Sequence, residues 1–187
     1  MKDDSSIAEV IRELDALRRE RDDAKQVPRV EGEFLHHLAL SSDAKTIVEV
    51  GTSYGFSGLF WAMALKSTRG RLHTIDNSPK KYNASRETFW RAGVADLITN
   101  HLGDAREILP QMPAPIDIAF IDADKPSTRA YFDLIWPKLR VGGSVLTDNA
   151  ITHRDELGEF VRYARSKDDA TSIEVAVGNG IEWTIKR

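Results

Sequence analysis

The sequence contains no cysteine, which removes disulfides, thiolate zinc sites, iron–sulfur clusters and a cysteine nucleophile from consideration. It also lacks a long hydrophobic run. The longest, residues 58–65, falls far short of the roughly 20 apolar residues that cross a bilayer. The opening Met1-Lys2-Asp3-Asp4-Ser5-Ser6 is acidic and polar, without the basic and apolar regions of a secretory signal. There is no basic tract, internal repeat or low-complexity segment, and 26 Lys+Arg against 29 Asp+Glu leave a formal net charge of −3. That balance argues against nucleic acid as a partner. What is present is 187 residues, 41% of them hydrophobic, enough for one domain with a proper core. The expectation is a cytoplasmic, soluble, enzyme-sized chain with no membrane partner.

Residues 6–24 read as one helix, with Ser6 and Glu9 as a capping box and Ile7, Val10, Ile11, Leu14 and Leu17 on one stripe. The opposite face is charged, from Arg18 and Arg19 through Glu20, Arg21, Asp22 and Asp23. The stripe is too short for a coiled coil, so residues 1–26 are expected to pack on the domain or to form a dimer contact. Pro28 breaks the pattern, and 31–40 resumes a helix.

From Thr46 onward strands and helices alternate. Strands are expected at 46–50, 71–75, 97–101, 116–121 and 144–147, and helices at 57–65, 79–93, 105–109, 128–139 and 154–167. Ser78-Pro79 is a helix start, with an N-cap followed by proline at the first helical position. Runs at 173–177 and 181–185 flank Gly178-Asn179-Gly180 as a terminal hairpin. This order predicts an α/β fold: a mostly parallel seven-stranded sheet, helices on both faces, and an antiparallel hairpin at the C-terminal edge.

Ligands of open α/β sheets sit beyond the carboxyl ends of the strands. The first strand runs into Glu49-Val50-Gly51-Thr52-Ser53-Tyr54-Gly55-Phe56-Ser57. A dinucleotide fingerprint needs glycines at relative positions one, three and six, and Ser53 occupies the third. Gly51 and Gly55 after Glu49 suit the S-adenosylmethionine loop of class I methyltransferases instead, because that cofactor has cationic sulfonium and ammonium groups and no pyrophosphate. Asp76 closes the second strand, where a carboxylate accepts from ribose hydroxyls. Gly103-Asp104-Ala105 closes the third, offering an acid and a backbone amide to the adenine. Each acid alone is more often a cap for the next helix; three at the ends of successive strands favour a cofactor.

The fourth strand ends in Asp122-Ala123-Asp124-Lys125 and the fifth in Asp148-Asn149. Brought together, Asp122, Asp148 and Asn149 are hard oxygen donors of the kind that suit Mg²⁺. The five histidines offer no i, i+4 pair of the zinc-helix type. Trp61, Trp90 and Trp183 read as core or edge packing.

At these residues the sequence resembles the cation-dependent O-methyltransferases, which include catechol and caffeoyl-coenzyme A O-methyltransferases. The resemblance covers about residues 27–187. It rests on Glu31-Gly32-Glu33-Phe34-Leu35, the 49–57 loop, Phe120-Ile121-Asp122-Ala123-Asp124-Lys125, Val141-Gly142-Gly143, Asp148-Asn149 and Gly178-Asn179-Gly180-Ile181. It implies a Rossmann-like methyltransferase domain at 27–187, with Asp122, Asp148 and Asn149 holding the metal. Glu49, Gly51, Thr52, Ser53, Gly55, Ser57, Asp76, Asp104, Ala105, Asp122 and Asp124 form the expected cofactor set. Lys125 corresponds to the general base and His153 to a substrate-contacting position. The implied activity is methyl transfer to one hydroxyl of a small catechol-like acceptor by a homodimer. A nitrogen methyltransferase is an alternative, but it would carry a proline-rich turn where this chain has Asp122-Ala123-Asp124-Lys125. A non-catalytic cofactor-binding protein on the same fold is the other. The chain departs from the family in a short N-terminal region, in only four residues between Asn149 and Arg154, and in Val27, where plant members have a hydroxyl residue. A shorter cover implies a more open acceptor site.

Overall fold

The computed structural model describes residues 4–20 and 23–187. Seven strands, β1 (Thr46–Val50), β2 (Arg71–Asp76), β3 (Ile98–Leu102), β4 (Ile116–Ile121), β5 (Leu139–Asp148), β6 (Ala170–Val175) and β7 (Ile181–Lys186), form one sheet in the order β3-β2-β1-β4-β5-β7-β6. The first five in that order run parallel, and β7 is antiparallel to both β5 and β6. The expected α/β architecture is therefore the observed one. Strand order reverses between β1 and β4, which opens a crevice above their carboxyl ends.

The strand residues divide by parity between two cores. Ile47, Leu72, Ile118, Phe120 and Leu146 face one side. Val48, Val50, Ile75, Ala119, Ile121 and Val145 face the other. Strands covered on both faces need apolar residues in both registers, which is why 116–121 reads as an unbroken apolar run. The first core is closed by α1 (Asp4–Glu20), α2 (Arg29–Ser41), α3 (Phe56–Thr68) and α4 (Pro79–Arg91). Helix α3 is apolar nearly all round because it lies between the sheet and α2, with Leu59, Trp61 and Leu65 fully buried. The second core is closed by α5 (Ala105–Ile108), α6 (Thr128–Ile135) and α7 (Arg154–Arg165).

Several boundaries differ from expectation. Helix α1 starts at Asp4, so Ser6 lies inside its first turn and is not an N-cap. It also ends at Glu20; Arg21 and Asp22 of the anticipated charged face lie outside the described residues. The α1 stripe, Ile7, Val10, Ile11 and Leu14, is buried in the chain's own core. Strand β5 begins five residues earlier than expected, because Gly142 takes φ +73° and lets the strand bulge where the register with β4 shifts. Pro137 ends α6 in a short 3₁₀ turn. Strand β6 also begins earlier, at Ala170, which leaves five residues between it and β7. Trp90 is exposed on α4, unlike buried Trp61. No helix among the described residues is long and apolar enough to cross a membrane.

Candidate functional site

A cleft of about 910 Å³ opens above the carboxyl ends of β1, β2, β4 and β5 and the β3–α5 loop. It is lined by Gly51, Ser53, Asp76, Asp104, Ala105, Asp122, Asp124, Lys125, Asp148, Asn149 and His153. Thr52 and Ser57 line a hollow of about 10 Å³ beside it. Glu49 and Gly55 line neither.

Glu49 instead sits fully buried beneath the β1–α3 loop. Its Oε1 accepts from Ser57 Oγ (2.6 Å) and Trp61 Nε1 (3.1 Å), and its Oε2 from Thr74 Oγ1 (2.6 Å). Burial pushes its carboxyl up to about 7, against the pull of those three donors. Thr52 joins the network through Thr74, their hydroxyl oxygens 2.6 Å apart. Gly51 holds φ +106°, and a Cβ there would collide with the Asp122 carbonyl oxygen. Only glycine lets the loop lie this close against the end of β4.

Asp76 ties this loop to the next. Its Oδ2 accepts from Ser53 N (2.8 Å) and its Oδ1 from Ser78 N (2.9 Å), with the carboxylate at the cleft wall. Asp104 caps α5 by accepting from Arg106 N (2.8 Å), and the Arg106 side chain and backbone hold it at about 2. Burial raises the Asp124 carboxyl, but bonds from Ser127 and Tyr131 outweigh it and hold the group below its ordinary value. The Tyr131 hydroxyl donates to Asp124 Oδ1 at 2.7 Å.

At the β4 and β5 ends the carboxyls of Asp122 and Asp148 meet. Burial first, then Asp148, lifts Asp122 to about 7, with Lys125 opposing. Lys125 Nζ is 3.6 Å from Asp122 Oδ1, and its side chain is only 11% exposed. Asn149 turns off the strand at φ +69°, its amide nitrogen donating to Thr152 Oγ1 (3.2 Å). Its backbone N–H donates to Asp148 Oδ1 (2.5 Å). His153 begins α7 beside them. Among the described residues no three His, Asp or Glu side chains close into a metal cluster. The donors here are two carboxylates facing each other and an amide oxygen, a set that suits a hard divalent cation.

Three contributors were not singled out from sequence. Glu31, on α2, is fully buried against Asp148. Burial, then Asp148, pushes it up to about 9. Gln26, ahead of α2, borders both cleft and hollow, and neither its amide nitrogen nor its oxygen has a partner. Arg106 borders the cleft beside Asp104. Glu31 stood in a quoted motif; Gln26 and Arg106 carry no spacing signal. The half-buried His73 and His101 rings stack with centroids 5.6 Å apart, away from the cleft.

The sequence model of the O-methyltransferase family matches residues 2–164. The chain is 34% identical over 157 residues to a catechol O-methyltransferase of Mycobacterium tuberculosis, covering 81% of this chain and 68% of that protein. It is 37% identical over 133 residues to a catechol O-methyltransferase of Niastella koreensis, covering 69% and 60%. The matched segments thus span between three fifths and about two thirds of these relatives' lengths. Among solved structures, the O-methyltransferase TomG of Streptomyces achromogenes, in complex with S-adenosylmethionine, superposes with a TM-score of 0.81 at 30% identity, covering 99% of this chain and 91% of that one. The chain belongs to the O-methyltransferase family, of the class I, S-adenosylmethionine-dependent kind.

Proposed function

We propose that this chain moves the methyl group of S-adenosylmethionine to one hydroxyl of a small catechol-like acceptor, with a divalent cation of the Mg²⁺ type held by Asp122, Asp148 and Asn149. The observation that carries the reading is the meeting of the buried Asp148 carboxyl, the half-buried Asp122 carboxyl, the Asn149 amide and Lys125 at one end of the same cleft that has Asp76 and the glycine loop at the other. Asp76 accepts from the ribose hydroxyls, Asp104 and Ala105 face the adenine, and the Gly51 loop closes on the cofactor. Asp124 stays ionised beside them, a counter-charge for a cationic ligand.

A phenol hydroxyl ionises only near pH 10, so at neutral pH its oxygen is a weak nucleophile. The cation, when bound, supplies a Lewis acid that stabilises the ionised hydroxyl. Lys125, once its ammonium has given up a proton to solvent, would receive the hydroxyl's proton as a neutral amine, and His153 contacts the acceptor. Walls that fix sulfonium and oxygen in line remove the entropic cost of their encounter. The proposal includes a cytoplasmic homodimer, readable by sedimentation. The test is methyl transfer to a panel of catechols and monophenols with and without EDTA. Turnover on vicinal diols that EDTA abolishes is expected. Chelator-insensitive turnover removes the cation role, and no turnover on any phenol favours a nitrogen acceptor or a non-catalytic binding role.

A further inference from the structure

Two sequence motifs, the glutamate of Glu31-Gly32-Glu33 and the hairpin tip Gly178-Asn179-Gly180, have no part in the mechanism above, yet the fold brings them together on the candidate cation site. Glu31 is 0% exposed. Its Oε2 accepts from the Asn179 backbone N–H at 3.1 Å, while its Oε1 is buried with no hydrogen-bond partner. Gly178, at φ +56°, packs so closely that a Cβ would run into the Glu31 carboxyl. The Asn179 side chain reaches on from the same tip, its Nδ2 3.4 Å from Asp148 Oδ2. The hairpin therefore clamps Glu31 from one side and Asp148 lies against it on the other.

A buried oxygen left without a donor costs free energy, and more where the group is charged. Glu49, a fully buried acid beside the same cleft, draws three donors. An apolar residue would fill the Glu31 position more cheaply if packing were its purpose. A cation, or water bound to one, is the partner that an acid wedged behind another acid lacks.

We infer that Glu31 stands behind the cation site: held by the 178–180 tip, it sets the position of Asp148. Glu31 is thus a positioning residue for a cation that Asp122, Asp148 and Asn149 ligate. The inference rests on the cation reading above. Groups standing behind metal ligands typically contribute about 10–100-fold in metal affinity.

The test is calorimetric titration of Mg²⁺, with Mn²⁺ followed by electron paramagnetic resonance, into the full chain and into Glu31→Gln. Thermal unfolding is recorded in EDTA and in excess Mg²⁺. Glutamine keeps an oxygen for the Asn179 N–H and turns an amide towards Asp148, so the fold survives. Expected are a fall of at least 10-fold in Mg²⁺ affinity, a smaller Mg²⁺-induced rise in melting temperature, and an unchanged or higher melting temperature in EDTA. Equal cation affinity in wild type and Glu31→Gln overturns the inference and leaves the cation reading standing. So does a variant that loses the same stability with and without Mg²⁺, since that is the mark of a packing residue. Wild type with no cation binding overturns both readings.

Discussion

Two of the fully buried glutamates, Glu49 and Glu31, flank the cleft, and they are treated in opposite ways. Glu49, under the β1–α3 loop, accepts from Ser57, Trp61 and Thr74 and points away from the cleft. Glu31, under the β6–β7 tip, has one backbone donor, an orphaned oxygen, and another acid for a neighbour. The first arrangement is closed: all its polar capacity is spent inside the protein, and its product is the shape of a loop. The second is open, and what completes it comes from outside. The lesson concerns how to read a buried acid, since the count and type of its partners separate a strut from a binding group better than burial or a shifted pKa does.

The sharpest way to break this comparison is to truncate the closed member. Glu49→Ala strands the Ser57 hydroxyl and the Trp61 indole N–H, each at about 1–3 kcal/mol, and leaves Thr74 only its bond to Thr52. A loss of about 5 kcal/mol is expected, or roughly 10–20 °C in melting temperature for a domain of this size. Calorimetric unfolding reads it; a change under about 1 kcal/mol would mean that the network is incidental.

Asp148→Ala attacks the open side, and here the loss falls on turnover. If Asp148 ligates the proposed cation, its removal costs several kcal/mol of charge stabilisation, so a fall of about 10³-fold is expected. Cofactor affinity stays close to wild type, because Asp148 lies at the far end of the cleft from Asp76. The unfolding temperature in EDTA does not fall, because one of two opposed carboxyls has gone. Near-normal rates would remove Asp148 from the cation site.

A pH series sharpens the contrast without changing the closed network's shape. Folded Glu49 titrates at about 7 against an ordinary 4.5, so between those values the folded chain holds a proton that the unfolded chain has released. Its contribution to stability is therefore full below pH 4.5 and is lost as pH rises to about 7. In Glu49→Gln that group cannot titrate. The stability of wild type relative to Glu49→Gln should decline by about 3 kcal/mol from pH 4.5 to 7.5, measured by urea unfolding. A pH-independent difference would mean that Glu49 stays ionised throughout.

Much of this was legible in the sequence, for a physical reason. Strand limits at 46–50 and 116–121 agree with the structure because parallel strands covered on both faces leave no ambiguity of period. The glycine at 51 and the acids at 76, 104, 122 and 148 announce themselves because each ends a strand, and strand ends point to the cleft. What was not legible is contact across long separations. Glu31 and Asn179 are 148 residues apart, and no local period links them. Gln26 lies in an irregular segment whose side chains follow no face rule. Glu49 stands in the cofactor set by the family resemblance. Only the coordinates show that its side chain turns inward to Trp61, a partner twelve residues on.

Asp76 stands between the two extremes and gives the smallest expected effect. It is satisfied on the protein side, by the backbone N–H groups of Ser53 and Ser78, yet its carboxylate also borders the cleft. A charged hydrogen bond to a ribose hydroxyl contributes about 1.5–3 kcal/mol, so Asp76→Ala should weaken S-adenosylhomocysteine binding about 10–100-fold by calorimetry. The same truncation frees Ser53 N and loosens the loop, which would also weaken binding. The two causes separate by deleting the hydroxyl instead of the acid. If Asp76 holds the ribose, a 2′-deoxy cofactor analogue binds wild type weakly and loses little more in Asp76→Ala, because both changes remove one contact. If Asp76 only braces the loop, the two losses add. Additive losses would move Asp76 to the closed side of the comparison, beside Glu49.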